Sequence, residues 1–195
     1  MRGPKVAESL PPVTANRASE IDGVVVSKFE SMDDERGKFV KLSQFAHFQG
    51  SLSTAALSFN PNVGTVRGIH FQVEPFSEEK LVSCVQGSIF DAVVDLRPSS
   101  KTFGMWCSYE LTADKGIQLF IPKGVAHGFQ TLLPNSIIHY VLSSNHAPQH
   151  SFAIDPFGDL EIAWPTKVTS VSKRDLSGLS FSLAARQFAE SLKKK

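Results

Sequence analysis

The feature that most constrains this sequence is a succession of short β-type segments with very little helical pattern between them. Ten such segments are rich in Val, Ile, Phe and Thr, and several alternate in polarity. Turn-forming pairs such as Asn60-Pro61 and Arg97-Pro98 separate them. Many short strands at steady spacing predict a sandwich or barrel, with the jelly roll as the leading candidate. The segments are residues 23–30, 38–43, 54–60, 65–72, 80–87, 88–97, 105–112, 116–122, 128–133 and 136–143.

The two ends of the chain differ from this central β region. Residues 1–22 are polar and contain three prolines, so we expect an N-terminal arm outside the core. Residues 23–182 form one predicted jelly-roll domain, since no linker or long repeat divides them. Residues 183–195 combine a helical pattern with a basic tail, which predicts a short C-terminal helix.

Composition excludes several classes of partner. The net charge of +1 over 195 residues gives no bulk attraction to nucleic acid or to acidic membranes. The N-terminus lacks the apolar stretch of a secretory signal, and no apolar run is long enough to span a bilayer. Two cysteines, Cys84 and Cys107, provide no disulfide framework, which suits a reducing compartment. We therefore expect a cytoplasmic protein with no nucleic-acid or membrane partner.

Two patterns of glycine and histidine occur in order within the β region. Gly64 precedes His70 by six positions and Gly87 ends the first pattern, while residues 116–127 read GIQLFIPKGVAH. This arrangement resembles the two sequence motifs of the cupins, which implies a cupin-type jelly-roll β-barrel. The resemblance also implies that four side chains point into the barrel, namely His70, Gln72, Lys80 and His127.

The metal-binding form of the first motif is not intact. Gln72 stands where the second histidine of a metal-binding cupin belongs, and Lys80 stands where the glutamate belongs. A lysine ammonium repels a cation, so we predict no metal and a cavity suited to an anion or to a developing negative charge. A metal-dependent cupin oxygenase or isomerase remains an alternative, and these two residues argue against it.

The side chains of this cluster suggest proton transfer. His70 is a possible base, Lys80 is a cation and His127 is a second imidazole. Deprotonation next to a carbonyl uses such a set, because a base removes the C–H proton while a cationic donor stabilises the enolate. A second acid that delivers a proton from the opposite face would invert the carbon.

From about residue 24 to residue 176, the sequence resembles the dTDP-4-dehydrorhamnose 3,5-epimerase family and related nucleotide-sugar epimerases. The resemblance implies an isomerase that inverts C3, C5 or both of a nucleotide-linked 4-keto-6-deoxy sugar in deoxysugar biosynthesis. It also implies that no cofactor is used and that the protein is a homodimer. The matching runs include DERGKF (34–39), GTVRGIHFQ (64–72), KLVSCVQGSIFDAVVDLR (80–97), QLFIPKGVAHGFQTL (118–132), IHYVLS (138–143) and VSKRD (171–175).

Four residues match catalytic positions of that family. His70 resembles the base, and Asp175 resembles the aspartate that fixes the imidazole tautomer and stabilises the imidazolium. Tyr140 matches the acid on the opposite face of the sugar. Lys80 matches the lysine near the keto oxygen.

The resemblance also implies a set of substrate-binding residues. Arg67 and Arg36 match arginines associated with the diphosphate, where the guanidinium fork suits phosphate oxygens. Gln72 and His127 are expected to line the pocket. Phe39, Lys41 and Asn145 are expected on the nucleotide side.

Departures from the family pattern leave the nucleotide open. Lys41 replaces a glutamate associated with thymine recognition, and Asn145-His146 replaces a tyrosine pair. A dTDP, CDP, GDP or UDP sugar is therefore possible, and so is inversion of one centre or two. Two other functions stay open: a non-catalytic sugar-binding cupin, which the joint presence of the catalytic set argues against, and a 3,4-ketoisomerase, which needs no acid on the far face.

Overall fold

The three-dimensional structure is a computed structural model that describes residues 16–18, 20–42, 47–49 and 51–193. Strands dominate these residues, and the predicted all-β, cupin-type jelly roll with a short C-terminal helix is confirmed. The strands are β1 Asn16–Arg17, β2 Val25–Lys28, β3 Glu30–Asp34, β4 Gly37–Lys41, β5 Thr54–Asn60, β6 Val66–Gln72, β7 Lys80–Gln86, β8 Ser88–Asp95, β9 Met105–Thr112, β10 Ile117–Ile121, β11 Val125–Thr131, β12 Ser136–Leu142 and β13 Ser151–Ala153; the helices are α1 Lys173–Leu176 and α2 Phe181–Leu192.

Two sheets form the walls of the barrel. One has six strands in the order β1-β9-β8-β11-β6-β13, and the other has five in the order β2-β10-β7-β12-β5. All pairings within these sheets are antiparallel except that of β1 with β9. The strands β3 and β4 form a separate hairpin.

The alternation of side chains along the strands produces two main layers of core. On β8, Ile89 and Val93 face the five-stranded sheet and join the layer between the sheets. Ala92 and Val94 face the other way and pack against α2 through Phe181. Full burial of each large side chain contributes about 1.5–3 kcal/mol, so the helix that covers the outer face is part of the stable fold.

An irregularity in β6 determines which of its side chains reach the interior of the barrel. His127 of β11 pairs with His70, but Phe129 pairs with Arg67, so β6 has one extra residue in this interval. Regular alternation would place residues three apart on opposite faces. With the bulge, Arg67 and His70 line the same cavity.

Gly68 makes this bulge possible. Its φ is +116°, and a Cβ there would lie 2.5 Å from the Cα of Gly128 on the neighbouring strand. Only glycine fits both the backbone conformation and the close approach.

The observed elements differ from the sequence predictions mainly at their edges. The short strands β1, β3 and β13 were not predicted, and β11 begins at Val125, three residues before the predicted start. Helix α2 begins at Phe181 because the Ser180 side chain caps it by accepting a hydrogen bond from the Leu183 amide. Most of the predicted N-terminal arm and the last two residues lie outside the described residues. Among the described helices, none is long and apolar enough to cross a membrane.

Candidate active site

A cavity of about 280 Å³ opens between the two sheets. Its volume is near the lower end of the range for small-ligand pockets. Side chains from β6 and β11 line one wall, and side chains from β5, β7 and β12 line the other. The lining residues are Ala56, Ser58, Arg67, His70, Phe71, Gln72, Glu78, Lys80, His127, Phe129, Tyr140, Leu142, His146, Ser151 and Arg174.

His70 and Asp175 form a hydrogen-bonded pair at one side of this cavity. His70 Nε2 lies 2.7 Å from Asp175 Oδ1, and the amide of Gly68 donates to Asp175 Oδ2 at 3.3 Å. The imidazole is 39% exposed, while the carboxylate is only 4% exposed. The histidine therefore reaches the cavity and the aspartate supports it from behind.

The surroundings of Asp175 keep it ionised. Burial on its own raises the pKa of this carboxyl. The hydrogen bond and charge of His70, together with the Gly68 amide, lower the pKa by more than burial raises it, so the net pKa lies below its usual range. An ionised carboxylate can only accept hydrogen bonds. His70 Nε2 therefore carries a hydrogen, and in the neutral imidazole Nδ1 then has the free lone pair.

Tyr140 occupies the opposite wall. It lies on β12 of the five-stranded sheet, whereas His70 lies on β6 of the six-stranded sheet. Its phenol makes no hydrogen bond with the residues that the structure describes. Burial, and to a smaller extent the carboxylate of Asp91, raise the pKa of Tyr140 well above its usual value. The phenol therefore holds its proton and can serve as an acid.

Lys80 has a partner that the sequence analysis did not identify. Its ammonium forms an ion pair with Glu78 Oε1 inside the cavity, and both side chains are at most 10% exposed. The sequence predicts a cavity suited to an anion, and the structure shows that Glu78 already places a negative charge beside Lys80. The glutamate two positions before Lys80 in the Ser-Glu-Glu-Lys run was the available signal.

Gln72 connects two loops at the mouth of the cavity. Its amide nitrogen donates to the Phe76 carbonyl, to Glu78 Oε2 and to the Asn145 carbonyl, at 3.1, 3.2 and 3.2 Å. Its amide oxygen accepts from the Ala147 amide at 2.7 Å. Gln72 thus lines the cavity, but its polar atoms already have protein partners.

Asn145 lies beside the cavity without lining it. Its side-chain oxygen accepts hydrogen bonds from the hydroxyls of Ser53 and Thr54. The next residue, His146, lines the cavity instead. Of these two neighbouring side chains, only that of His146 lines the cavity.

A second histidine–aspartate pair lies next to the first. His127 Nε2 is 2.7 Å from Asp91 Oδ2, and both side chains are buried. Burial raises the pKa of Asp91, and the charge and hydrogen bond of His127 only partly oppose this effect. Asp91 was not among the predicted site residues, because its contact with His127 depends on how β8 and β11 pair.

Two arginines line the cavity near His70. Arg67 Nε donates to Asn60 Oδ1 at 2.8 Å, which fixes the direction of the side chain. Arg174 donates to the hydroxyl and carbonyl of Ser151, at 2.9 and 3.2 Å. Arg174 was not among the predicted site residues, although it directly precedes Asp175 in the sequence.

The remaining predicted residues lie on the β3–β4 hairpin, away from this cavity. Arg36 pairs with Asp34, and Lys41 pairs with Glu30, at 2.6 and 2.9 Å. Phe39 is 63% exposed. None of the predicted hairpin residues lines the cavity, so a single chain does not bring them to His70.

The donor set of the cavity does not resemble a metal site. In the parts of the chain that the structure describes, no three His, Cys, Asp or Glu side chains are grouped so that they could hold a metal ion. The Nε2 atoms of both His70 and His127 are engaged by carboxylates.

The fold is a cupin-type jelly roll whose cavity has an imidazole and a phenol on facing walls. The family model for dTDP-4-dehydrorhamnose 3,5-epimerase matches residues 18–182. The chain therefore belongs to the dTDP-4-dehydrorhamnose 3,5-epimerase family, and the prediction of an isomerase of the nucleotide-sugar epimerase class is confirmed.

Individual relatives agree with this assignment. The dTDP-4-dehydrorhamnose 3,5-epimerase of Sinorhizobium fredii is 39% identical over 153 residues, which cover 74% of this chain and 77% of the relative. The crystal structure of the Bacillus anthracis enzyme of the same name, with TDP and PPi bound, has a TM-score of 0.77 and 31% identity over 84% of this chain and 98% of its own. ChmJ, a 3'-monoepimerase from Streptomyces bikiniensis in complex with dTDP-quinovose, has a TM-score of 0.79 and 25% identity over 92% of this chain and 96% of its own.

Proposed function

We propose that this protein inverts C3, C5 or both of a nucleotide-linked 4-keto-6-deoxy sugar in deoxysugar biosynthesis. The observation that carries the proposal is the placement of His70 and Tyr140 on facing walls of one cavity. A base and an acid on opposite sides of a carbon are what inversion through an enolate requires. No cofactor takes part in this reaction.

In the first half-reaction, His70 Nδ1 removes the proton from the carbon next to the C4 ketone. The electron pair of the broken C–H bond forms the enolate, whose negative charge develops on the C4 oxygen. The Asp175 carboxylate, 2.7 Å from Nε2, stabilises the imidazolium that results. Lys80 contributes a cationic donor on the facing sheet, with Glu78 holding its position.

In the second half-reaction, Tyr140 donates its phenolic proton to the opposite face of the same carbon, which inverts the centre. The resulting phenolate takes a proton from solvent, and the imidazolium of His70 releases one. The positive charge of Arg67 favours the phenolate during this step, whereas the carboxylate of Asp91 disfavours it.

The diphosphate is proposed to bind at the side of the cavity where Arg67 and Arg174 lie. Two guanidinium groups can bind phosphate oxygens bidentately and neutralise their charge. The TDP bound to the Bacillus anthracis protein makes dTDP the first nucleotide to test. Because Lys41 and Asn145 depart from the family pattern on the nucleotide side, CDP, GDP and UDP sugars are tested as well.

The proposal includes a homodimer, because Arg36, Phe39 and Lys41 on the hairpin do not line the cavity of their own chain. Phe39 on β4 and Phe59 on β5 are both 63% exposed, and Met32 on β3 and Leu57 on β5 are exposed as well. A second copy of the chain would cover this apolar surface, and its hairpin could then supply Arg36 and Phe39 to the site. Light scattering of the intact protein and of Phe59→Asp tests this: a dimer that the substitution dissociates is expected, and a monomeric intact protein would contradict it.

Deuterium incorporation tests the reaction itself. The protein is incubated in D2O with 4-keto sugars linked to dTDP, CDP, GDP and UDP, and NMR follows the C3 and C5 protons. We expect exchange and inversion with at least one substrate. Absence of exchange with every nucleotide would leave the non-catalytic sugar-binding cupin, whereas a 3-keto product would identify a 3,4-ketoisomerase.

A further inference from the structure

The cavity has two ends, which follow the course of β6. Arg67 lies near the start of this strand and Gln72 lies at its end, and His70 lines the cavity between them. Gln72 Nε2 donates to Glu78 Oε2 at 3.2 Å, while Glu78 Oε1 pairs with the ammonium of Lys80. Gln72, Glu78 and Lys80 therefore form one end of the cavity, which we call the Lys80 end.

The three cations that line the cavity differ in the charge of their partners. Lys80 pairs with a carboxylate, that of Glu78. Arg67 and Arg174 donate instead to neutral oxygens, which belong to an amide, a hydroxyl and a backbone carbonyl. Neither arginine forms an ion pair with any residue that the structure describes. The positive charge of the cavity is therefore uncompensated at the two arginines and compensated at the Lys80 end.

The Lys80–Glu78 pair is neutral as a unit. An ammonium beside a carboxylate has no net charge, and the sum stays zero if the shared proton moves from one group to the other. Both side chains are at most 10% exposed, so salt and water screen them little. Removal of either charge would therefore act on a ligand several ångströms away.

The position of Glu78 is fixed at both carboxylate oxygens. Oε1 pairs with Lys80, and Oε2 accepts from Gln72. The amide oxygen of Gln72 in turn accepts from the Ala147 amide at 2.7 Å, so this side chain cannot rotate without losing a hydrogen bond. The carboxylate is thus held beside Lys80 and is not free to turn towards a ligand.

Lys80 still has hydrogen-bond donors for a ligand. An ammonium has three N–H groups, and Lys80 uses one of them on Glu78 Oε1. Lys80 lines the cavity and makes no other hydrogen bond with the residues that the structure describes. The Lys80 end can therefore donate to a neutral oxygen, such as that of a ketone, while it offers no net charge to an anion.

We propose that Glu78 is a specificity-determining residue that excludes phosphate-type anions from the Lys80 end of the cavity. It acts through Lys80, whose charge it cancels and whose remaining donors it leaves available. A ligand with a neutral oxygen and a diphosphate then binds in one direction, with the diphosphate at Arg67 and Arg174. This direction rests on the proposed function, whereas the exclusion of anions does not.

Calorimetric titration of the protein with inorganic pyrophosphate tests the exclusion without any turnover. Glu78→Gln keeps the size of the side chain and leaves the charge of Lys80 uncompensated. We expect this variant to bind pyrophosphate at least about 10-fold more tightly than the unmodified protein, since one uncompensated charge in a partly buried site has an effect of this order. Unchanged or weaker binding by the folded variant would overturn the proposal.

Two further variants complete a charge cycle and keep the proposal testable if Glu78→Gln does not fold. Lys80→Gln leaves the carboxylate uncompensated and should weaken pyrophosphate binding. The double variant Glu78→Gln/Lys80→Gln has a neutral Lys80 end again, so its affinity should return close to that of the unmodified protein. A double variant that binds as weakly as Lys80→Gln would contradict the proposal.

Glu79→Gln is the matched control, because it removes the same charge at the next position and Glu79 does not line the cavity. A gain in affinity equal to that of Glu78→Gln would show that the total charge of the protein, and not the pair, determines anion binding. The result is also separate from the deuterium experiment. Tighter binding by Glu78→Gln without any exchange would refute only the proposed function, whereas exchange with unaltered pyrophosphate affinity would refute only the role of Glu78.

Discussion

His70 and Tyr140 lie on different sheets of the barrel and line opposite walls of the same cavity. The imidazole is supported by Asp175, while the phenol makes no hydrogen bond within the described part of the chain. In the proposed reaction, the imidazole takes a proton and the phenol gives one. This relationship leads to different expectations for substitutions at the two positions.

Tyr140→Phe removes the proton donor and keeps the base. We expect inversion to be lost while deuterium exchange at the same carbon continues, because His70 can return a solvent deuteron to the original face. NMR in D2O measures both quantities. Tyr109→Phe is the natural control, since Tyr109 is the other tyrosine of the chain and bonds to Cys107 outside the cavity. Unchanged inversion in Tyr140→Phe would exclude the proposed acid.

His70→Asn removes the base from the cavity. Loss of a general base typically lowers the rate by about 10²–10⁴-fold, and both exchange and inversion should fall together. Initial rates with the best substrate of the panel provide the measurement. His150→Asn serves as a control because this histidine packs against Phe76 in a tilted arrangement and does not line the cavity. A His70→Asn protein with a near wild-type rate would contradict the assignment.

Asp175→Asn keeps the size of the side chain but removes its charge. The amide no longer holds His70 in the form with hydrogen on Nε2, and it no longer stabilises the imidazolium. A comparable change in a catalytic triad lowers kcat about 10⁴-fold, which we take as the upper limit here. The NMR signal of His70 should show the altered tautomer. Full activity with an unchanged tautomer would show that Asp175 does not support the base.

Glu78→Met leaves Lys80 buried without its carboxylate. Removal of one partner of a buried ion pair typically costs about 3–5 kcal/mol of unfolding free energy, whereas replacement of both partners by apolar side chains is often nearly neutral. Urea unfolding of Glu78→Met, Lys80→Met and the double variant tests this expectation. The double variant should recover much of the stability. Equal and additive losses would show that the two side chains do not interact.

Asp95 provides a prediction about pH and stability. Burial alone raises the pKa of this carboxyl, but the hydrogen bonds from Arg97, Ser100 and Thr102 lower it below its usual value. Its stabilising effect is therefore complete above the unfolded pKa, about 3.9, and is lost as the pH falls through the lower folded pKa. We expect Asp95→Asn to reduce the unfolding free energy near neutral pH and to flatten its dependence on acid pH. An unchanged acid dependence would contradict this role.

The sequence was sufficient for the fold class because the jelly roll depends on local periodicity. Alternating β-branched and aromatic residues between turn signals predicted most of the strands of both sheets. The strands that were not predicted, β1, β3 and β13, are short or fully exposed along their length, so they lack the alternation that the prediction used. The bounds of α2 depended on the cap at Ser180, which is a local signal that the helical pattern alone did not include.

Within the site, the sequence by itself determined which residues are present, since the two motifs and the ordered family matches identified His70, Lys80, His127, Tyr140 and Asp175. Only the tertiary structure decided how they are paired. Glu78 pairs with Lys80 and Asp91 pairs with His127, because burial and the pairing of the strands set these interactions. The bulge at Gly68 turned Arg67 towards the same cavity as His70, and the hairpin kept Arg36, Phe39 and Lys41 away from it. Strand periodicity specifies on which face of a sheet a side chain lies, whereas the charge state of that side chain depends on neighbours that are distant in sequence.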